Sequence, residues 1–258
     1  MKIVAINSSH RGDNGYTRFL IDKLFQGATE AGANCEVVSL ARLKINRCIG
    51  CQDCHSNEHN LKCVYDDKDD VRNIFNKMIE ANIILFATPV YIFSMSGLMK
   101  TFLDRINATG DCNDLQLSKS GLIFHHIDHQ ICSKPFVVLV CCDNWENETP
   151  KNVLSYFKTY SKFMDAPQVG VLVRKSGKIV GHGKNAEKEK IYPKIQEVYK
   201  AYYQAGKELA TAGKIRRATQ KQANQNILPI PTVAQFLMNF KFFKIKMFGM
   251  IKVKSKEM

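Results

Sequence analysis

The sequence predicts an α/β domain: a five-stranded parallel sheet with helices on both faces. Three observations predict it. Five short apolar runs recur along the 258 residues, each run is followed by a segment of helical spacing, and there is no internal repeat. With 45% of residues hydrophobic, the chain suits one substantial domain with appendages.

The elements follow in order. Lys2 to Ile6 reads as a buried strand, and the helix Tyr16 to Ala31 presents Leu20, Leu24, Ala28 and Ala31 on one side. Cys35 to Leu40 is the second strand. Residues 41–65 hold a cysteine-rich loop. The acidic run Asp66-Asp67-Lys68-Asp69-Asp70 is expected to cap a helix whose inner face is Val71, Ile74, Phe75, Met78 and Ile79. Ile83 to Ala87 is the third strand, and Ser96 to Ile106 is a helix with Leu98, Met99, Phe102, Leu103 and Ile106 inward. Residues 109–133 read as a poorly patterned insertion. Phe136 to Cys141 and Val169 to Val173 are the last two strands. A helix starting at Thr149-Pro150 lies between them, and a long helix from Asn185 to Ala212 closes the domain. The expected division is a domain over 1–212 and a basic, amphipathic helical extension over 213–258.

Charge and cysteine content narrow the setting. The net charge is +13, but ten Lys and Arg stand against the single Glu257 from Lys214 onward. That stretch carries +9, the remainder is nearly balanced, and a nucleic-acid partner is not expected. No run of about 20 apolar residues is present. The opening stretch is too short for a secretory signal and fits a strand, so the expected location is the cytoplasm. Nine cysteines, an odd number, argue against a closed disulfide set, and four crowd into residues 48–63.

In parallel sheets of this kind, ligands bind beyond the carboxyl ends of the strands. Two loops there carry chemistry. Asn7 to Thr17 is rich in hydroxyls and small residues, with Arg11; helix N-terminal N–H groups and Ser/Thr hydroxyls attract phosphate. It is neither a Walker loop nor a G-x-G-x-x-G fingerprint, and an ordinary polar loop is the alternative. Thr88 to Gly97 places Pro89, Tyr91 and Phe93 as an aromatic shelf suited to a planar ring, or to a subunit partner.

Together the two loops resemble the NADPH-dependent FMN reductases, over about residues 1–175, with Leu98-Met99-Lys100-Thr101-Phe102-Leu103-Asp104-Arg105 similar to the helix after the flavin loop. The resemblance implies a flavodoxin-like fold and an oxidoreductase that moves electrons through FMN to a small-molecule or protein acceptor, with NAD(P)H as donor. It implies FMN phosphate contacts at Ser9, Arg11, Asn14, Gly15, Tyr16 and Thr17. Ring contacts are implied at Pro89, Val90, Tyr91, Ile92, Phe93 and Ser94. His10 departs from the usual Pro, and Cys141-Cys142-Asp143-Asn144-Trp145 replaces a Gly-rich loop, which leaves the third contact open. Flavin sites of this kind often lie at subunit interfaces, so a homo-oligomer, dimer or tetramer, is expected.

Cys48-x-x-Cys51-x-x-Cys54 and Cys63 could converge as four thiolates on a [4Fe–4S] cluster or tetrahedral zinc, or remain redox-active thiols. The spacing resembles the compact motif of iron–sulfur flavoproteins, although the last gap is longer. The resemblance implies a cluster that exchanges electrons with FMN. The rival reading is a non-enzymatic electron carrier or redox sensor with structural zinc or free thiols. His125, His126 and His129 are expected in a polar lid over the flavin rather than around a metal. Thr232 is expected to start an amphipathic run containing Val233, Phe236, Leu237, Phe240, Phe243, Met247 and Met250, with Lys241, Lys244, Lys246, Lys252 and Lys254 around it. Docking on a neighbouring subunit is favoured there over contact with a membrane surface.

Overall fold

A computed structural model describes residues 1–180, 190, 192, 194–228, 232–237 and 240–245. The chain divides into two compact units, Met1–Asn226 and Ile227–Met258.

In the first unit the five apolar runs form one parallel sheet. The strands are β1 (Lys2–Asn7), β2 (Asn34–Ser39), β3 (Ile83–Tyr91), β7 (Phe136–Cys141) and β8 (Gln168–Arg174), in the order β2-β1-β3-β7-β8. The chain winds outward from β1 to β2 and then returns to β3 on the other side of β1. This is the flavodoxin-like order, with its switch point between β1 and β3. Side chains alternate between faces. Val4, Ile6, Ile84, Phe86, Val138 and Val140 join one core with residues of α2 (Val71–Glu80), α3 (Gly97–Asp104) and α5 (Lys151–Phe163). Phe86 stacks on Phe157 there, with centroids 5.2 Å apart. Ile3, Ala5, Leu85 and Leu139 are buried on the alternate positions of the same strands, and α1 (Tyr16–Glu30) packs against β1, β3 and β7.

The long helix α7 (Lys194–Ala212), which follows the short helix α6 (Gly177–Val180) in sequence, lies on α1. A Cβ at Gly27 would sit 1.9 Å from the Tyr203 carbonyl oxygen, and one at Gly206 1.8 Å from that of Leu24. Only glycine permits this backbone approach. The expected start of this helix at Asn185 falls largely on residues outside those described.

Beyond α7, α8 (Arg217–Ala223) covers the open edge of β8. Gln220 Oε1 accepts from Val171 N at 2.9 Å and Asn224 Oδ1 from Val173 N at 2.7 Å, while Asn224 Nδ2 donates to Val171 O at 3.0 Å. Side-chain amides thus stand in for a sixth strand and satisfy an edge that would otherwise template pairing.

Two expectations change. Residues 109–133 are ordered: β5 (Gly110–Leu117) and β6 (Ile123–Ile127) form an antiparallel hairpin, followed by the short helix α4 (His129–Cys132). Its pattern is faint because one face carries exposed Leu115, Leu117 and Ile123. The third strand also runs on to Tyr91, because β4 (Ser94–Met95) folds back on it as a hairpin.

The second unit contains α9 (Thr232–Leu237) and a helical turn over 241–245. Met247, Met250, Lys246, Lys252 and Lys254 lie outside the described residues.

Candidate functional site

At the carboxyl end of the sheet, three loops enclose a cleft of about 170 Å³ lined by Ser9, Arg11, Tyr16, Thr17, Pro89, Val90, Tyr91, Cys141, Cys142 and Asp143. Parallel pairing brings them together: Asn7 sits beside Ala87, and Pro89 beside Cys141.

The first loop leaves β1 tied to β3, since Ser8 N donates to Ala87 O at 3.0 Å. Asn7 Nδ2 then donates to Gly12 O at 3.3 Å, and Ser9 Oγ accepts from Arg11 N at 3.3 Å. Gly12 has φ +53, which lets a short turn over Gly12–Asn14 swing the chain into α1. Gly15 is the N-cap of α1 and supplies no side-chain cap, so N–H groups of the first turn remain for an anion. Thr17 is inside the helix, buried, and in the cleft wall. A Cβ at Gly15 would lie 2.5 Å from Ser9 Oγ. The glycine therefore keeps that hydroxyl in place. The Arg11 guanidinium lies 5.2 Å from the Tyr16 ring. A phosphate fits this donor set.

The second loop is the β3–β4 hairpin. Its two turn residues, Ile92 and Phe93, have φ 44 and φ 63. A left-handed β-branched residue is strained, and such strain gathers at functional sites. Asn152 Nδ2 holds the turn by donating to Phe93 O at 3.1 Å. The tip of the turn leaves Ile92 and Phe93 90% and 61% exposed, while Pro89 and Val90 stay in the wall. Tyr91 lies 5.7 Å from the His10 ring. Burial pushes its phenol above the ordinary range; Arg11 draws it back, and Cys141 and Asp143 push it further up.

Of the residues expected to hold FMN, Ser9, Arg11, Tyr16, Thr17, Pro89, Val90 and Tyr91 line the cleft. Asn14, Gly15, Ile92, Phe93 and Ser94 border it without lining it. Cys141, Cys142 and Asp143 form the third wall, where the sequence left the contact open. Trp145 does not line it. The signal for that wall was strand adjacency, since β7 neighbours β3.

Cys48, Cys51, Cys54 and Cys63 line a separate cavity of about 210 Å³, beside Tyr65, Asp104 and Arg105. Cys48 and Cys51 are exposed, and Cys54 is buried. The loop turns through left-handed Gly50 and Gln52 at φ 66 and 62, and Leu61 N donates to Cys54 O at 2.8 Å. The Cys54 thiol is pushed up to about 11 by burial first and then by Cys63, Cys51 and Cys48, so each of the other three thiols acts on it electrostatically. Among the described residues no three His, Cys, Asp or Glu side chains stand close enough to grip one ion. The donor set fits a four-thiolate centre, with the sulfurs around one cavity but not drawn to ligand distance.

The acidic run does something other than the expected capping. Asp69 does accept from Val71 N at 3.1 Å, but its other oxygen accepts from Asn46 N at 2.9 Å and pairs with Arg105. Asp70 accepts from Lys44 N at 2.8 Å, and Asp66 from Cys63 N at 3.1 Å. These carboxylates clamp both ends of the cysteine loop. The Arg105 and Asp69 side chains are 1% and 0% exposed, and Arg105 also donates to Asn46 O at 3.1 Å.

The histidines do not cover the cleft. His125 lines a third cavity of about 470 Å³ with Cys48, Gly50 and His55, and the two imidazole centroids are 6.5 Å apart. His126 and His129 are exposed, and none of the three belongs to a metal-holding group among the described residues. No helix among those residues is long and apolar enough to cross a membrane.

Comparison with known proteins places this geometry in a class. Residues 1–125 match the family described as NADPH-dependent FMN reductase. That stretch of the chain is thus similar to the NADPH-dependent FMN reductases, and it lies in a flavodoxin-like fold. More particularly, it is 33% identical over 105 residues to an iron-sulfur flavoprotein of Archaeoglobus fulgidus, covering 41% of this chain and 48% of the relative. An iron-sulfur flavoprotein of Clostridioides difficile is 24% identical over 78% of both chains. The chain spans about half the length of the archaeal relatives it matches. Among solved structures, an FMN-dependent NADH-azoreductase from Bacillus anthracis in complex with FMN aligns with a TM-score of 0.58 at 13% identity, over 81% of this chain and 99% of that one. An NAD(P)H:quinone oxidoreductase from Methanothermobacter marburgensis aligns with a TM-score of 0.51 at 14% identity, over 81% and 96%. These two likenesses are of fold.

Proposed function

We propose that the protein is an FMN-dependent NAD(P)H oxidoreductase. The observation that carries this is the meeting, in one cleft, of Ser9, Arg11 and Thr17 with Pro89, Val90 and Tyr91, from loops far apart in sequence. Ser9, Thr17 and the uncapped start of α1 would bind the phosphate, with Arg11 adding positive charge. Pro89, Val90 and Tyr91 would seat the ring from one side, and Cys141 to Asp143 would close the other. Asn14 and Gly15 shape the phosphate turn, and Ile92, Phe93 and Ser94 shape the ring turn. When bound, FMN accepts hydride from a nicotinamide donor and releases electrons singly or in pairs. The side chains bind, orient and exclude water; none need act as acid or base.

Cys48, Cys51, Cys54 and Cys63 would hold a [4Fe–4S] cluster, a one-electron centre when bound. The donor chemistry of four thiols on one cavity supports this, as do the relatives called iron-sulfur flavoproteins. The exposed tip at Ile92 and Phe93 suits a second copy of the chain, and a homo-oligomer belongs to this reading.

One preparation tests both parts. Protein purified without oxygen should show flavin absorbance, about one FMN per chain, and iron and sulfide in equal amounts. Steady-state oxidation of NADH or NADPH should follow with a suitable acceptor. Absence of flavin overturns the reading. Flavin without iron leaves the reductase and removes the cluster. Flavin without turnover, but with one-electron exchange, makes the chain a carrier.

A further inference from the structure

We propose that the C-terminal unit docks on an anionic membrane surface through residues 232–237 and 240–245. Two independent observations meet there. The first is apolar exposure. Val233, Phe236, Phe240, Phe242 and Ile245 each leave more than half of their surface uncovered within thirteen positions. Isolated exposed apolar residues are ordinary, but a run of this density marks an interaction surface. Phe236 and Phe240 already pair, with centroids 5.5 Å apart, so these two rings present one aromatic surface.

The second is charge. Lys241 and Lys244 are set among these side chains, and no Asp or Glu occurs between Lys214 and Lys256. The stretch from Lys214 onward carries +9, and the rest of the chain keeps a net +4. A second copy therefore offers no net negative counterpart: its body is weakly positive and its own C-terminal stretch would repel. The charge argument reverses the preference for a neighbouring subunit taken from helical spacing alone. An anionic lipid headgroup layer meets both requirements at once, with phenyl rings entering the acyl boundary and ammonium groups remaining at the phosphates.

The test uses the full-length protein and sedimentation with vesicles. One set is phosphatidylcholine mixed with phosphatidylglycerol, and the other is phosphatidylcholine alone. The protein should sediment with the mixed vesicles, far less with the neutral ones, and be released as salt rises. Lys241→Gln and Lys244→Gln should each weaken binding about fivefold, which is the roughly 1 kcal/mol per basic residue near an anionic surface. Phe236→Ser with Phe240→Ser and Phe242→Ser should abolish it, with circular dichroism unchanged. If that triple variant fails to fold, the two lysine variants decide. Equal binding to both vesicle types, or none to either, overturns the proposal. So does a triple variant whose mass falls by light scattering while vesicle binding was never present, because the occupant is then a second copy.

Discussion

The cleft and the cysteine cavity are both built from loops of the first unit, but they are held by different forces. The cleft is set by the sheet: its loops leave adjacent strands, and backbone hydrogen bonds fix their spacing. The cysteine loop has no strand within it. It is held by carboxylates of Asp66, Asp69 and Asp70 reaching backbone N–H groups, and by Arg105 from the far end of α3. The first arrangement tolerates change in side chains. The second depends on a few buried charges.

The largest effect should come from Arg105→Met. It leaves the Asp69 carboxylate buried and unpaired, at about 3–5 kcal/mol in stability. Urea unfolding measures the loss, and the buried Cys54 should become open to alkylation while the cleft still binds flavin. If flavin affinity falls as steeply as stability, the two regions are not separately built.

Gly15→Ala probes the other side. The new methyl group must displace Ser9 Oγ, and FMN affinity should drop about tenfold, the worth of one hydrogen bond to a charged group at about 1.5 kcal/mol. Flavin fluorescence titration reads this, with the unfolding midpoint nearly unchanged.

Ile92→Asn combined with Phe93→Gly should act in the opposite direction. Those residues suit a hairpin turn with two positive φ values, so stability should rise by about 1 kcal/mol as the strain is relieved. Calorimetry would show it, and unchanged stability would mean that the turn relaxes without them.

One effect is confined to alkaline pH and shared by both regions. Cys54, in the cysteine loop, and Cys142, in the cleft, both titrate in the folded state at about 11, against an ordinary 9.0. A raised folded pKa contributes stability that is complete below pH 9 and is lost as pH climbs through about 11. In metal-free protein the melting temperature should decline across that window. Cys54→Ser and Cys142→Ser should each flatten part of the decline.

The same contrast explains what could be read from the sequence. The sheet was legible because buried parallel strands are apolar throughout, and Ile83 to Ala87 or Phe136 to Cys141 admit little else. The cleft was legible where a loop follows such a strand directly, as at Ser9 and Pro89. Asp143 was not, because its place depends on β7 lying beside β3. The clamp was not legible either. Asp66 to Asp70 look like a helix cap in one dimension, and only the fold shows Asp69 meeting Asn46 and Arg105. The β5–β6 hairpin escaped notice because its outward face breaks the apolar–polar alternation by which strands are recognised.

The glycine contact between α1 and α7 bears on how the chain acquires its structure. Gly27 and Gly206 are separated by about 180 residues, yet each fits against the other helix's backbone. Pairings at such distance in sequence form late, because a long loop must close first. At roughly 5–20 residues per second on the ribosome, the partner of α1 emerges about ten to forty seconds after α1 itself. During that interval the apolar side of α1 lacks its final cover, which makes this helix the place where a chaperone would have most to protect.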